Sequence, residues 1–265
     1  MKLGKKYILS TILTLIFMIF ITSITVKYLY NTSNITKDEY FKLLLSDTYG
    51  DNFYVKLVEV INKYFNPLNI IEMKEVNSIN FNLHNNVNIK TPLVYIYNTN
   101  IDDTYKEEYN IKPNTLLASY FLSENLNNIG VDAIFENNDI KNFTKNNNLS
   151  LEESSNVFIN DKLNNYPSIK YVIKVGKSST NNNTTINNDN TKYALISLYA
   201  SKENITLLNK INQELNKKCK GISKIYFYES YNNSINIDFG NSKSTMKEVL
   251  NSIDVFSEVF KEAIL

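Results

Sequence analysis

Apolar positions recur along this chain in more than one rhythm, and the changes of rhythm divide it. From Tyr7 to Val26 they form a run with no charged residue. At a rise of about 1.5 Å per residue such a run makes roughly 30 Å of helix, the thickness of a bilayer's hydrocarbon core. The run is longer than the apolar region of a secretory signal, and Thr22 to Val26 is a poor small-residue cleavage site, so a retained transmembrane anchor is expected over residues 7–26. Lys2, Lys5 and Lys6 lie ahead of it, which favours a cytoplasmic tail at residues 1–6 and an extracytoplasmic body from Lys27 onward.

Residues 27–89 read as a stalk: a polar tether over Asn31 to Lys37, then a helical stretch with Phe53, Leu57, Val60, Ile61 and Tyr64 on one face, ended by Asn66 and Pro67. From Thr91 the pattern alternates between short β-branched or aromatic runs and helical ones. Strands are expected at Leu93–Tyr97, Val131–Phe135, Tyr171–Val175, Tyr193–Tyr199, Lys224–Tyr228 and Ile235–Phe239. Helices are expected at Thr115–Ile129, Leu151–Tyr166, Glu203–Lys218 and Ser244–Ile264. The Ser/Thr/Asn run Lys177–Asn190 has no periodicity and reads as a long exposed loop. Strands separated by helices predict an α/β domain over residues 90–265: three layers, with a twisted, mostly parallel sheet of about six strands flanked by helices. Ligands of such sheets sit just past the carboxyl ends of the strands.

Composition narrows the functions available. A formal net charge of +1 provides no field for nucleic acid, which is set aside as a partner. The one cysteine, Cys219, has no partner within the chain and reads as a buried free thiol, with pairing between chains as the alternative. The one histidine, His84, stands in a polar stretch ahead of the α/β domain and reads as a surface residue.

Three strand ends carry the candidate chemistry. Residues 94–105 read V-Y-I-Y-N-T-N-I-D-D-T-Y, residues 172–178 read V-I-K-V-G-K-S, and residues 237–241 read I-D-F-G-N. In order and flanks they resemble the stage II sporulation protein P family, membrane-anchored zinc N-acetylmuramoyl-L-alanine amidases of endospore-forming bacteria. Its patterns run near V-L-I-Y-H-T-H-x-S-E-S-Y, V-I-D-L-H-R-D and L-I-E-V-G-x-x-N-N-T-x-E-E. The likeness extends from Pro92 to Leu265 and includes the approach Pro167–Ile173 and the segment Asp238–Glu248.

The resemblance implies a zinc amidase fold, yet its metal ligands do not carry over. Asn98 and Asn100 stand where the first motif has histidines. Gly176, Lys177 and Ser178 replace His, Arg and Asp of the second, and Asp238 replaces the Glu that would serve as base. Asp103 falls where the first motif has its Glu. A catalytic zinc needs about three protein ligands, usually imidazole, carboxylate or thiolate, and neutral amides and a glycine do not replace imidazole.

Taken residue by residue, Asn98 and Asn100 read as turn residues. Asp102 and Asp103 read as a solvated acidic turn, with a weak oxygen site for a hard cation as the alternative. Asp238, inside an apolar run, is either partly desolvated or paired with Lys177 across the cleft, and the pairing is expected. Ser178 and Ser179 have no neighbouring histidine base, so no hydrolase triad is supported.

The expectation is a membrane-anchored, extracytoplasmic, catalytically degenerate member that binds peptidoglycan or assembles septal or engulfment complexes, without a cofactor. The resemblance implies the sporulation proteins D and M as partners. Two other readings stay open: an active amidase with an atypical metal set such as Asp103 and Asp238, and an unrelated cell-surface interaction protein.

Overall fold

The computed structural model describes residues 89–108, 111–227 and 234–265. The expected anchor, the stalk helix and His84 lie outside them, and among the described residues no helix is long and apolar enough to cross a membrane. Apart from Ile111, the described residues fall in one compact unit.

In chain order the elements are β1 Val94–Tyr97, α1 Thr115–Asn128, β2 Ala133–Phe135, α2 Ile140–Asn147, α3 Leu151–Asn165 and β3 Tyr171–Ser178. There follow β4 Thr185–Asn188, β5 Thr191–Ala194, β6 Ile196–Ala200, α4 Ile205–Lys218, β7 Ser223–Phe227, β8 Ile235–Asn241 and α5 Met246–Ile264. Six strands form one sheet in the order β2-β1-β3-β8-β6-β7, and β4 pairs with β5 in a separate hairpin. The sheet is parallel except between β6 and β8. That exception has a local cause. Returning a chain to the same end of a sheet takes a crossover of about a dozen residues or more, usually a helix. Only residues 228–234 join β7 to β8, so β8 runs against β7 and against β6, its parallel neighbour.

The helices begin where side chains supply the missing hydrogen bonds. Asn114 caps α1 by accepting from the Leu117 amide at 3.1 Å. Ser150 with Glu153 and Thr245 with Glu248 form capping boxes at α3 and α5. Period-2 alternation then sorts the strands. Val175, Leu198, Ile237 and Phe239 are buried on one face, where Phe239 meets Phe256 of α5 at 5.8 Å between ring centres. On the other face Tyr95, Tyr97 and Val172 pack with Ile140 of α2 and with Phe158 and Ile159 of α3.

Three local expectations change. The run expected as a loop over residues 177–190 contains β4, and the strand expected at Tyr193–Tyr199 is two strands broken at Leu195. Asp189 and Asn190, at φ 44° and 65°, make the tight hairpin turn between β4 and β5, a conformation these two residue types tolerate. Helix α2 was not expected; it is a short, mostly exposed helix opened by Asp139, which accepts from the Asn142 amide at 3.0 Å.

Candidate functional site

The end of β1 separates two asparagines that look alike in the sequence. Asn98 is only 2% exposed, and neither atom of its amide has a hydrogen-bond partner among the described residues. It is therefore not the turn residue expected. The turn is made two residues later, where the Asp103 amide donates to the Asn100 carbonyl at 3.2 Å. The Asn100 side chain accepts from Lys141 Nζ at 3.1 Å, and the same ammonium reaches Asp102 Oδ2 at 2.9 Å. Lys141 thus holds Asn100 and Asp102 in a partly solvated contact on α2.

Asp103 turns the other way. Its carbonyl accepts from the Thr115 amide at the start of α1, and its carboxylate stands 3.8 Å from Lys177 Nζ. The pairing expected between Lys177 and Asp238 is not the ion pair formed. The β3–β8 register shifts here: the two steps from Gly176 to Ser178 face three steps of β8, Asp238 to Asn241, with Gly240 at φ 62° in the longer stretch. Ser178 lies beyond that shift, where its hydroxyl donates to that of Thr180 at 3.4 Å.

Asp238 is the centre of the arrangement. It sits opposite Gly176 on β3 and opposite Ser197 on β6. Its Oδ2 accepts from the Tyr199 hydroxyl at 2.8 Å. Burial pushes its carboxyl above the usual carboxylate range and Asp103 adds to this, while the Tyr199 hydrogen bond and the charges of Lys174 and Lys177 oppose it. Lys174, on the same strand as Gly176, has its ammonium pushed below the ordinary lysine value by burial, with Asp238 opposing. Among the described residues its ammonium makes no ion pair or hydrogen bond. Tyr105, 2% exposed, has an unpaired hydroxyl held above the usual phenol value by burial and by the charges of Asp238 and Asp103.

Gly176 explains how close these strands come. A Cβ built at this position would collide with Asp238 Oδ1, so no side chain fits there while the carboxylate keeps its place. The position where the resemblance implies a zinc-binding histidine is thus occupied by a neighbour's oxygen. Among the described residues no group of three His, Cys, Asp or Glu side chains is arranged to hold a metal. Zinc does not fit the donors present at these strand ends.

The structure brings together Asp103, Gly176, Lys177 and Asp238, buries Asn98 at the end of β1, and leaves Asn100 and Ser178 at the margin. Sequence reading missed Lys174, Tyr199 and Tyr105 as members. Lys174 and Tyr199 were legible in principle: each is a polar or amphipathic residue at every second position of an otherwise apolar strand, the mark of a sheet face without a full apolar cover.

A model of the family Stage II sporulation protein P matches residues 51–261. No curated protein matches. Among solved structures, N-acetylmuramoyl-L-alanine amidase AmiC2 of Nostoc punctiforme is similar, with 12% identity, a TM-score of 0.41, and coverage of 65% of this chain and 94% of that one.

Proposed function

The chain belongs to the stage II sporulation protein P family, and from that membership and its strand-end chemistry we propose a cell-wall-binding protein that has exchanged metal-dependent hydrolysis for recognition. The family match removes the reading as an unrelated surface protein. One observation carries the proposal: Asp238 fills the space that a side chain at 176 would need, so the strand end is built around a carboxylate hydrogen-bonded to Tyr199 instead of around an imidazole. Asp103 and Asp238 are two carboxylates, fewer than the roughly three protein ligands of a catalytic zinc, and Asp103 stands 3.8 Å from Lys177.

What remains is suited to binding. Lys177, Lys174 and Asp238 supply charge of both signs. The uncharged run Tyr7–Val26 and the lysines before it support an anchored protein with this domain outside the membrane, where the wall is met. Septal or engulfment assembly with the sporulation proteins D and M belongs to the same reading.

The test uses the full chain purified in detergent. Co-sedimentation with purified sacculi, no stoichiometric zinc by elemental analysis and no release of stem peptide are expected. One tightly held zinc per chain, with peptide release abolished by Asp238→Ala, overturns the proposal and restores the hydrolase.

A further inference from the structure

Lys174 of β3 and Asn236 of β8 are Cα partners in the parallel β3–β8 pair. Neighbouring strands lie about 4.8 Å apart, and residues in register send their side chains to the same face. Tyr97 of β1 and Tyr199 of β6 flank the two in the same row. Asp238 follows Asn236 by two positions and so shares that face. A primary amine, a carboxamide and a carboxyl group therefore occupy one spot of the sheet, and the flexible four-carbon stem of lysine lets its nitrogen fold over the neighbouring strand.

Each of the three groups is prepared for the others. The Lys174 nitrogen has no ion pair or hydrogen bond among the described residues, and its burial favours the neutral amine, the form that acts as a nucleophile. The Asn236 carbonyl oxygen accepts from the Ser234 hydroxyl at 3.1 Å, and the Tyr97 hydroxyl donates in turn to Ser234 at 3.5 Å. This chain of donors polarises the amide carbon and stands ready for the charge that develops on the oxygen when that carbon is attacked. The Asp238 carboxyl is held by Tyr199 at 2.8 Å, and its burial favours the protonated form, so it can both give and take a proton. Strand packing alone gives no reason to bury a lysine without a partner, since doing so costs free energy.

We propose that Lys174 and Asn236 close an isopeptide bond between β3 and β8. The Lys174 nitrogen adds to the Asn236 amide carbon, one of its protons passes through the Asp238 carboxyl to the amide nitrogen, and that nitrogen leaves as ammonia. One C–N bond forms and one breaks, nothing is oxidised or reduced, and Asp238 ends as it began. The sheet register supplies the proximity that a free amine and amide lack. The bond closes a loop between two strands distant in sequence and restricts the unfolded chain as a disulfide does. Cys219, a buried free thiol, supplies no such link. The proposal is independent of wall binding, for which Lys177 and Asp238 still supply charge of both signs.

The test is the intact mass of the full chain purified in detergent, compared with Lys174→Arg after correction for the substitution. Wild type is expected to be lighter by one ammonia, and Lys174→Arg and Asn236→Ala to have their full sequence masses. Proteolytic mapping of wild type is expected to give one branched peptide joining residues 174 and 236. Asp238→Ala is expected to stay unlinked, because acid and base assistance contributes about 10²-fold or more. Wild type that is folded by circular dichroism and has its full sequence mass overturns the proposal, whatever the variants do. An ammonia deficit that persists in Lys174→Arg also overturns it, by placing the loss at another asparagine. A linked Asp238→Ala overturns the proton route.

Discussion

Gly176→Ala tests whether the strand end is committed to Asp238. The added Cβ collides with Oδ1 of Asp238, whereas the next nearest atoms, Asp238 Cγ at 3.5 Å and the Ile237 carbonyl oxygen at 3.9 Å, leave ordinary room. Only the carboxylate is in the way. To clear the methyl it must swing out, which breaks the 2.8 Å hydrogen bond from Tyr199. A hydrogen bond to a charged group contributes about 1.5–3 kcal/mol. Against this, replacing glycine in a strand restores roughly 0.5–1 kcal/mol of backbone entropy. The single variant should therefore lose about 1–2 kcal/mol. In an Asp238→Ala background the obstacle is gone, and the same substitution should be neutral or stabilising. The coupling between the two positions is then about 1.5–3 kcal/mol. Urea unfolding of all four proteins in one detergent, followed by circular dichroism, measures it. Additivity within about 0.5 kcal/mol refutes the steric reasoning. By the same logic Gly176→His should not confer zinc binding, since the imidazole would meet the carboxylate first.

Asn98→Leu should stabilise the protein by about 1–3 kcal/mol, because it removes a buried amide with no partner, and a lower unfolding midpoint would show that the amide is satisfied in solution. Asp238→Asn should flatten the pH dependence of stability. Between the ordinary aspartate value of about 3.9 and the raised folded value, the folded state keeps a proton the unfolded state has lost, so wild-type stability falls as pH rises through that window. An unchanged slope in the Asn variant, from unfolding curves across that window, refutes the assignment. Tyr199→Phe should raise the Asp238 pKa further by removing the donor to its carboxylate, as read by an NMR titration of Asp238; a lower value would place the hydroxyl elsewhere.

How much of this was legible followed from how local the cause was. The six sheet strands and four of the five helices showed in apolar spacing, since burial writes a period into the sequence and each capping residue marks a start. Helix α2 was lost because its contribution to the core is the single buried residue Ile140. The β4–β5 hairpin was lost because its strands are polar, although Asp189-Asn190 carried the turn signal. At the site, the identities of Gly176 and Asp238 were readable and their contact was not. Two residues 62 positions apart in sequence meet only through the β3–β8 register, and nothing local fixes a register. The same holds for Lys177, whose partner Asp103 lies 74 positions away in sequence.

The direction of β6 ties the polar face of the sheet to the topology. The short link from β7 to β8 sets β6 and β7 against the other four strands, and α4, the crossover between β6 and β7, packs beside α5. Helices α2 and α3, inserted between β2 and β3, are the described elements on the opposite face, and they pack where β1 and β2 lie. The remaining width of that face, from β3 to β7, must therefore be tolerable to water, and its alternate residues obey: Lys174, Asn236, Asp238, Ser197, Tyr199, Lys224 and Tyr226 are polar or amphipathic. Water tolerance alone would be satisfied by lysine and glutamate. Two stacked tyrosines and a carboxylate held at 2.8 Å from one of them are more costly in side-chain entropy than solvation requires. That excess order is what a surface needs in order to recognise a ligand.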